Sequence, residues 1–378
     1  MTNAQMIQRD GNTINQRLYI AFELSNTKWK LQFSNGIKRR QKTIGARDLE
    51  QFEWEVEKAR KHFGVGEELQ IFSCYEAGRD GFWIDRYLKG RGINNIVVDS
   101  SSIEVPRRSR RAKTDRIDVT KLMNMLLRNK NGEQRLWSVL RVPSSKEEDE
   151  RRIDREIARL KRERTSHTNR IQSLLILQGV RMGVGRDFLE KLEEVRLWNG
   201  ERVPEYLKGE IIREYRRYEL VKAHLKEMID EQAALLAKGG AAARQVCRLQ
   251  SLRGIGPVSS WKLVYEFFAW RKFNNVKQVG AAAGLVPTPY NSGNIEVEQG
   301  ISKSGNRRIR RLMVEVSWYW LNHQGQSDLS RWYQKRFGRG SKRIRKIGIV
   351  AMARKLLIAL WKYLEHGIVP AGALLKSY

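Results

Sequence analysis

Leu18-Tyr19-Ile20-Ala21-Phe22-Glu23-Leu24 is an apolar run broken by a single carboxylate, and the segments after it decide the fold class. Two shorter β-compatible runs come next, Lys28–Phe33 and Gln41–Ile44, with Asn26 and the Asn35-Gly36 pair as turn residues between runs. Short β runs separated by such residues predict three strands in hairpin connection. Asp48–Phe63 then places Phe52, Val56 and Ala59 on one side of a helix. Leu69–Tyr75 and Ile93–Val98 predict strands, and Phe82–Leu88 and Thr114–Leu127 predict helices. The order is β-β-β-α-β-α-β-α.

Three antiparallel strands followed by parallel α/β crossovers is the order of the ribonuclease-H-like, or RuvC-like, fold. The expected arrangement is therefore α/β plus α: a flexible 1–17, an α/β domain over 18–142, and helices thereafter. After Pro143, Ser144-Ser145 precedes Glu147, Glu148 and Asp149, a helix start with a cap and first-turn carboxylates. Ile153, Ile157, Leu160, Arg164, His167, Ile171 and Leu174 form a heptad seam, and Ile211, Tyr215, Tyr218, Lys222, Leu225, Ile229, Gln232 and Leu236 a second. These predict a coiled-coil or helical oligomerisation region over 144–238, either as an intermolecular seam or as a hairpin within one chain. Gly239-Gly240 reads as a hinge before a helical, basic domain over 246–345, with a helical tail over 346–378.

Charge narrows the function. Lys and Arg number 72 against 42 Asp and Glu, a net +30 on 378 residues, which draws a chain towards polyphosphate. With 41% hydrophobic residues and 11 Trp, there is apolar material for real cores, unlike a short packing protein. The two cysteines, Cys74 and Cys247, lie far apart without a CxxC, which argues against a disulfide framework or a zinc site. The polar amino terminus carries no signal-peptide pattern and no apolar stretch is long enough to span a membrane, so a cytoplasmic protein is expected.

Four carboxylates occupy informative places. Glu23 lies near the end of the first strand, Glu76 directly follows the fourth, and Asp115 and Asp118 stand three apart at a helix start, on one face. Singly, a Glu after a strand is a solvated end and an Asp at a helix start is a cap. In a ribonuclease-H-like sheet the first and fourth strands are neighbours, and the four would converge. Converging carboxylates stay ionised only beside a cation, and hard oxygen donors suit Mg²⁺ or Mn²⁺. Such a site supports phosphodiester chemistry. Just before it, Arg107, Arg108, Arg110, Arg111 and Lys113 are five cations in seven residues, placed to grip a nucleic-acid backbone.

In the carboxy-terminal domain, Gly254-Ile255-Gly256-Pro257 resembles the turn of a helix-hairpin-helix, whose backbone N–H groups approach phosphate. Gly284-Leu285-Val286-Pro287, Asn291-Ser292-Gly293 and Ile301–Arg311 come after it. The last carries Lys303, Arg307, Arg308, Arg310 and Arg311 beside a serine in a Gly-flanked loop. Such a serine is either a turn residue or a nucleophile.

Together with Tyr75-Glu76-Ala77-Gly78 and Lys113–Asp118, these segments resemble the DEDD insertion-sequence transposases, also described as bridge-RNA-guided recombinases and akin to the pilin-gene invertases. The likeness covers residues 18–125 and 246–335 in order. It implies that Glu76, Asp115 and Asp118 are the second to fourth acids of a metal-holding tetrad, with Glu23 at the first position, where the family has Asp. It implies that Ser292 is the nucleophile, forming a phosphoserine bond with cut DNA. It further implies double-stranded DNA partners (element ends and target), a structured guide RNA, a homo-oligomer (dimer or tetramer) and a bacterial source. Two other readings remain open on the residues alone: a metal-dependent RuvC-like nuclease or junction resolvase, and a non-catalytic nucleic-acid-binding remnant.

Overall fold

The computed structural model describes residues 17–64, 69–78, 81–103, 115–134, 136–292 and 295–376, with the backbone alone at 101, 115–117, 289–292 and 295–299. Two units result, Met1–Pro143 and Ser144–Tyr378.

The first unit is organised by β1 (Arg17–Leu24), the middle strand of a five-stranded sheet of order β3-β2-β1-β4-β5. β2 (Lys28–Ser34) and β3 (Arg39–Gly45) extend it antiparallel on one side. β4 (Gln70–Glu76) and β5 (Asn94–Val98) extend it parallel on the other. Between them come α1 (Leu49–Phe63) and α2 (Trp83–Gly90), and α3 (Asp115–Lys130) ends the unit's helices. A strand flanked on both faces reads as a continuous apolar run, which accounts for Leu18–Phe22. Leu18, Ile20 and Phe22 pack in one buried cluster with Phe52, Val56 and Ala59 of α1 and Ile84 and Leu88 of α2. Tyr19 and Ala21 point the other way, into a cluster with Cys74, Val98 and Val119, Leu122, Met123 and Leu126 of α3. The predicted elements of this region thus all occur, displaced by up to three residues at their ends.

The direction of α3 decides where its first acids lie. Near its carboxy terminus, the Lys130 ammonium lies 4.2 Å from the Phe72 ring, in the first half of β4. Earlier in the helix, Leu122 accepts a 3.7 Å hydrogen bond from the Cys74 thiol. The helix therefore runs antiparallel to β4, and its first turn lies towards the carboxy-terminal edge of the sheet. Burial pushes the Cys74 thiol well up and keeps it un-ionised.

The second unit opens with a long helical hairpin, α4 (Ser145–Ile176) and α6 (Glu205–Ala237), with the short α5 (Phe188–Glu194) at its tip. The expected cap is a full capping box: Ser144 Oγ accepts from Glu147 N at 3.1 Å, and the Glu147 carboxylate accepts from Ser144 N at 2.7 Å. Ile157 and Leu160 pack with Val221 and Leu225, while Ile171 and Leu175 pack with Ile211 and Tyr215, so the helices are antiparallel within one chain. The second seam needs correction. Val221 and Met228 face the partner helix, whereas Lys222 pairs with Glu219 and Ile229 is exposed. A mixed helix carries two overlapping stripes, and burial of Val221 selects one.

The remaining chain packs around one core. It comprises α7 (Ala241–Gln250), α8 (Pro257–Leu263) continued by a π turn Val264–Phe268, and α9 (Val276–Ala282). A hairpin of β6 (Pro287–Ser292) and β7 (Ile295–Ile301) comes next. α10 (Arg307–His323), α11 (Asp328–Tyr333) and the central α12 (Lys342–His366) complete it. Two motif glycines are explained by close approach. Gly284 has φ +67°, and a Cβ there would stand 2.0 Å from the Ser304 carbonyl oxygen. Gly305 has φ +104°, and a Cβ there would meet the Ala282 carbonyl oxygen at 2.5 Å. The two loops interlock backbone to backbone, a fit that only glycine permits. Gly284→Ala is expected to lose about 2–4 kcal/mol of unfolding free energy, read from the urea midpoint by circular dichroism.

Candidate functional site

Strand alternation places the first two acids. On β1, Tyr19 and Ala21 face α3, so Glu23, two further on, shares their face. On β4, Cys74 faces α3, and Glu76 lies two residues on along the same face. The parallel register pairs Phe22 with Tyr75, which sets Glu23 beside Glu76 at the carboxy-terminal ends of adjacent strands. Glu76 is exposed and Glu23 half-buried, facing Lys30 of β2 in the ladder.

Asp115 opens α3, one turn before the buried Val119, and Asp118 lies one turn before the buried Leu122. Because α3 begins over the edge where β1 and β4 end, these positions are brought towards Glu23 and Glu76. Asp118 is half-buried and pairs with Lys121 at 3.3 Å. The Asp115 side chain, and Arg107, Arg108, Arg110, Arg111 and Lys113, lie outside the described residues. Among the described residues no three His, Cys, Asp or Glu side chains close around one point as a metal site. The donor set at this edge is nonetheless of one chemistry, carboxylate oxygen throughout, which fits Mg²⁺ or Mn²⁺ and no soft metal.

Ser292 is the last residue of β6, paired with Ile295 at the far end of the hairpin. The sequence suggested a Gly-flanked loop, whereas this segment pairs as a strand that includes Pro287 and Pro289, residues that weaken a ladder. A register shift between those prolines accommodates them and restores pairing beyond.

The basic cluster sits at the base of that hairpin. Lys303, Arg307, Arg308 and Arg311 are exposed, and Lys303 adopts φ +57° where β7 leads into α10. Arg310 differs: its guanidinium donates to the Ala283 carbonyl at 3.1 Å and clamps α9 to α10. Burial, with the neighbouring Arg307 cation, pushes Arg310 below the usual guanidinium range.

The residue that organises this region was missed in the sequence. Glu266, 4% exposed, is the one acid in Trp261–Trp270, an otherwise apolar and aromatic stretch apart from Lys262, and this isolation was the signal available. It lies within the π turn, a distortion frequent at functional sites. Its carboxylate accepts two hydrogen bonds from Arg155 (3.0 and 3.2 Å) and one from Asn306 Nδ2 (3.1 Å), with Arg151 3.7 Å away. Asn306 Oδ1 accepts from Arg308 N at 3.0 Å and Ile309 N at 3.2 Å, capping the helix that carries the arginines. Burial would raise the Glu266 pKa, but Arg155, Arg151 and Asn306 outweigh it and hold the carboxyl below the usual range.

The profile of the IS116/IS110/IS902 transposase family matches residues 247–334, which contain the π turn, the β6–β7 hairpin and α10. A protein of Sinorhizobium fredii named as a transposase (y4rJ) is 41% identical over 378 residues, covering 95% of each chain. The transposase for insertion sequence element IS1328 of Yersinia enterocolitica is 27% identical over 212 residues, 56% of this chain and 61% of that one. The transposase for insertion sequence element IS1111A of Coxiella burnetii is 36% identical over 87 residues, 23% of this chain and 24% of that one. The class is that of the transposases, and the chain belongs to the IS116/IS110/IS902 family. Among the described residues, no helix is long and apolar enough to cross a membrane.

A carboxylate with a lowered folded pKa stabilises above its ordinary pKa, and that contribution is lost as pH falls through the folded value. Glu266→Gln is expected to cost about 2 kcal/mol at neutral pH, moderated because Arg155 is partly exposed. Urea denaturation from about pH 7 to about pH 3 is expected to show the gap between wild type and variant shrinking as the medium acidifies.

Proposed function

We propose that this transposase cuts and rejoins DNA through a covalent serine–phosphate intermediate, using an acidic metal site on a ribonuclease-H-like sheet. The observation that carries the reading is the common face and common edge of Glu23 and Glu76, with α3 starting over that edge. Glu23, Glu76, Asp115 and Asp118 would hold Mg²⁺ or Mn²⁺, which when bound supplies Lewis-acid polarisation of a phosphate oxygen. The Ser292 hydroxyl, at the hairpin end, gives its proton to solvent and forms the bond to phosphorus. A strand oxygen leaves and takes up a proton. In rejoining, another strand's hydroxyl attacks the same phosphorus and returns the serine. The phosphodiester bond energy is thus conserved, whereas hydrolysis would discard it.

The partners in this reading are the double-stranded DNA of element ends and target, and a structured RNA whose base pairing selects sequence while the protein reads backbone and shape. Support for an insertion-sequence substrate comes from the relatives' names. In this reading the protein acts as a dimer or tetramer in which one protomer supplies the acids and another the serine.

Ser292→Ala is expected to abolish the covalent protein–DNA adduct seen on denaturing gels. Glu76→Gln and Asp118→Asn are expected to lower adduct yield by about 10²-fold or more while leaving DNA binding intact. Undiminished cutting by Ser292→Ala would instead establish a metal-dependent nuclease or resolvase. DNA binding without strand breakage in any form of the protein would establish a non-catalytic binder. Affinity for duplex DNA is expected to fall roughly 10³-fold between about 50 and about 200 mM salt if six phosphates are contacted.

A further inference from the structure

The second unit contains a cleft of about 720 Å³ that the serine chemistry does not use. It lies between α4, α8 with its π turn, and the first turns of α10, and its size is that of a small-ligand site. Arg162, Lys262, Arg307, Arg308 and Arg311 line it, and none of them forms an ion pair with a carboxylate among the described residues. Five cations converging on one concave surface outnumber its three acids, Asp154, Glu266 and Glu315, and such an excess favours a phosphate.

Among these cations stands Asp154 of α4, 5% exposed and lining the same cleft. No described residue gives it a hydrogen bond or an ion pair within 4.0 Å. Its carboxylate therefore faces the open cleft with no protein donor on it, free to accept hydrogen bonds from whatever enters. Burial raises its pKa, with Glu266 adding to the rise and Lys262 and Arg308 opposing it. Glu266, the other buried acid of the cleft, is already satisfied by Arg155 and Asn306.

The two features make opposite demands. The cations ask for phosphate, which Asp154 repels, and Asp154 asks for N–H donors, which phosphate lacks. One ligand class answers both at once, a nucleotide with its phosphate on the arginines and its base edge on the carboxylate. Guanine suits it best, because its N1–H and N2–H groups are parallel donors that match the two oxygens of a carboxylate. Cytosine and adenine offer a single amine on that edge. An unpaired base presents this edge freely, whereas a paired base does not.

We propose that the cleft between α4, α8 and α10 receives one unpaired guanine nucleotide of a nucleic-acid strand, with Asp154 reading the base and Arg307, Arg308 and Arg311 holding the phosphate. This deepens the proposed action on nucleic acid and rests on it. It needs no strand cutting, so its test is separate from that of the serine chemistry.

The experiment uses the full chain in EDTA and fluorescence anisotropy with short labelled single strands, in DNA and RNA series. Each strand carries guanine, inosine or adenine at one central position. Wild type is expected to bind the guanine strand about tenfold more tightly than the inosine strand, which lacks the N2 amine. Asp154→Asn is expected to erase that preference, and Arg307→Ala to weaken all strands alike and reduce the salt slope by about one. Preference in RNA alone assigns the cleft to an RNA partner, and preference in both series assigns it to any unpaired strand; either supports the proposal. Equal binding of guanine and inosine strands by wild type, a comparison needing no altered protein, would overturn it. So would a preference that survives in a folded Asp154→Asn protein.

Discussion

The pairing of β1 with β4 is the constraint on which the first unit depends. β1 is buried on both faces, and side chains along a strand alternate, so its register fixes which residues meet the helices. A slip of one residue would turn Leu18, Ile20 and Phe22 towards α3 and Tyr19, Ala21 and Glu23 towards α1. Two apolar clusters hold that register from opposite sides. The position of Glu23 on the sheet is therefore set by the packing of its neighbours. Glu76 inherits its place in the same way, from Cys74 and Tyr75 buried just before it.

The second unit solves a different problem, which is how to present cations without losing its core. Its arginines stand on a helix whose cap, Asn306, is tied to one buried carboxylate, and that carboxylate is tied to Arg155 of the long hairpin. A charge-assisted network of this kind resists deformation because loosening any member leaves another buried and unpaired. The helix is thereby held as a rigid, cation-bearing surface, while Arg310 turns inwards and closes the loop with Ala283. With a net charge of +30, self-repulsion opposes the compact state, which raises the value of each such internal tie.

Much of this was legible in the sequence, for identifiable reasons. An apolar run and two short β-compatible runs, separated by Asn26 and the Asn35-Gly36 pair, marked the first three strands because each is short and bounded by turn residues. Ser144 and Glu147 announced a capping box because that motif is local. The long helices were visible from their heptads, but the seam of α6 was not, since Lys222 and Val221 are neighbours and only the partner helix decides between them. The β6–β7 pairing was hidden by Pro287 and Pro289, whose cost a bulge absorbs. Glu266 was missed because its place depends on a contact more than a hundred residues away in the chain, that with Arg155. Glu23 and Glu76 could be placed at strand ends from the sequence because strand ends are predictable, whereas Asp154 sits inside a helix that gave no outward sign of a cleft.

Placing acids in one unit and a serine in the other has a consequence if the proposed chemistry holds. A metal-polarised phosphate and a ready nucleophile in one rigid pocket would break any strand that diffused in. Dividing them leaves each unit able to bind nucleic acid and unable to complete the reaction unaided. Preorganisation, the largest contribution to such catalysis, then arises only when the two are brought together on a substrate. A transposase gains from this arrangement in a way that a degradative nuclease does not. For a transposase an unpaired cut is a lesion, and the covalent bond to serine has value only when a second strand is held ready to receive it.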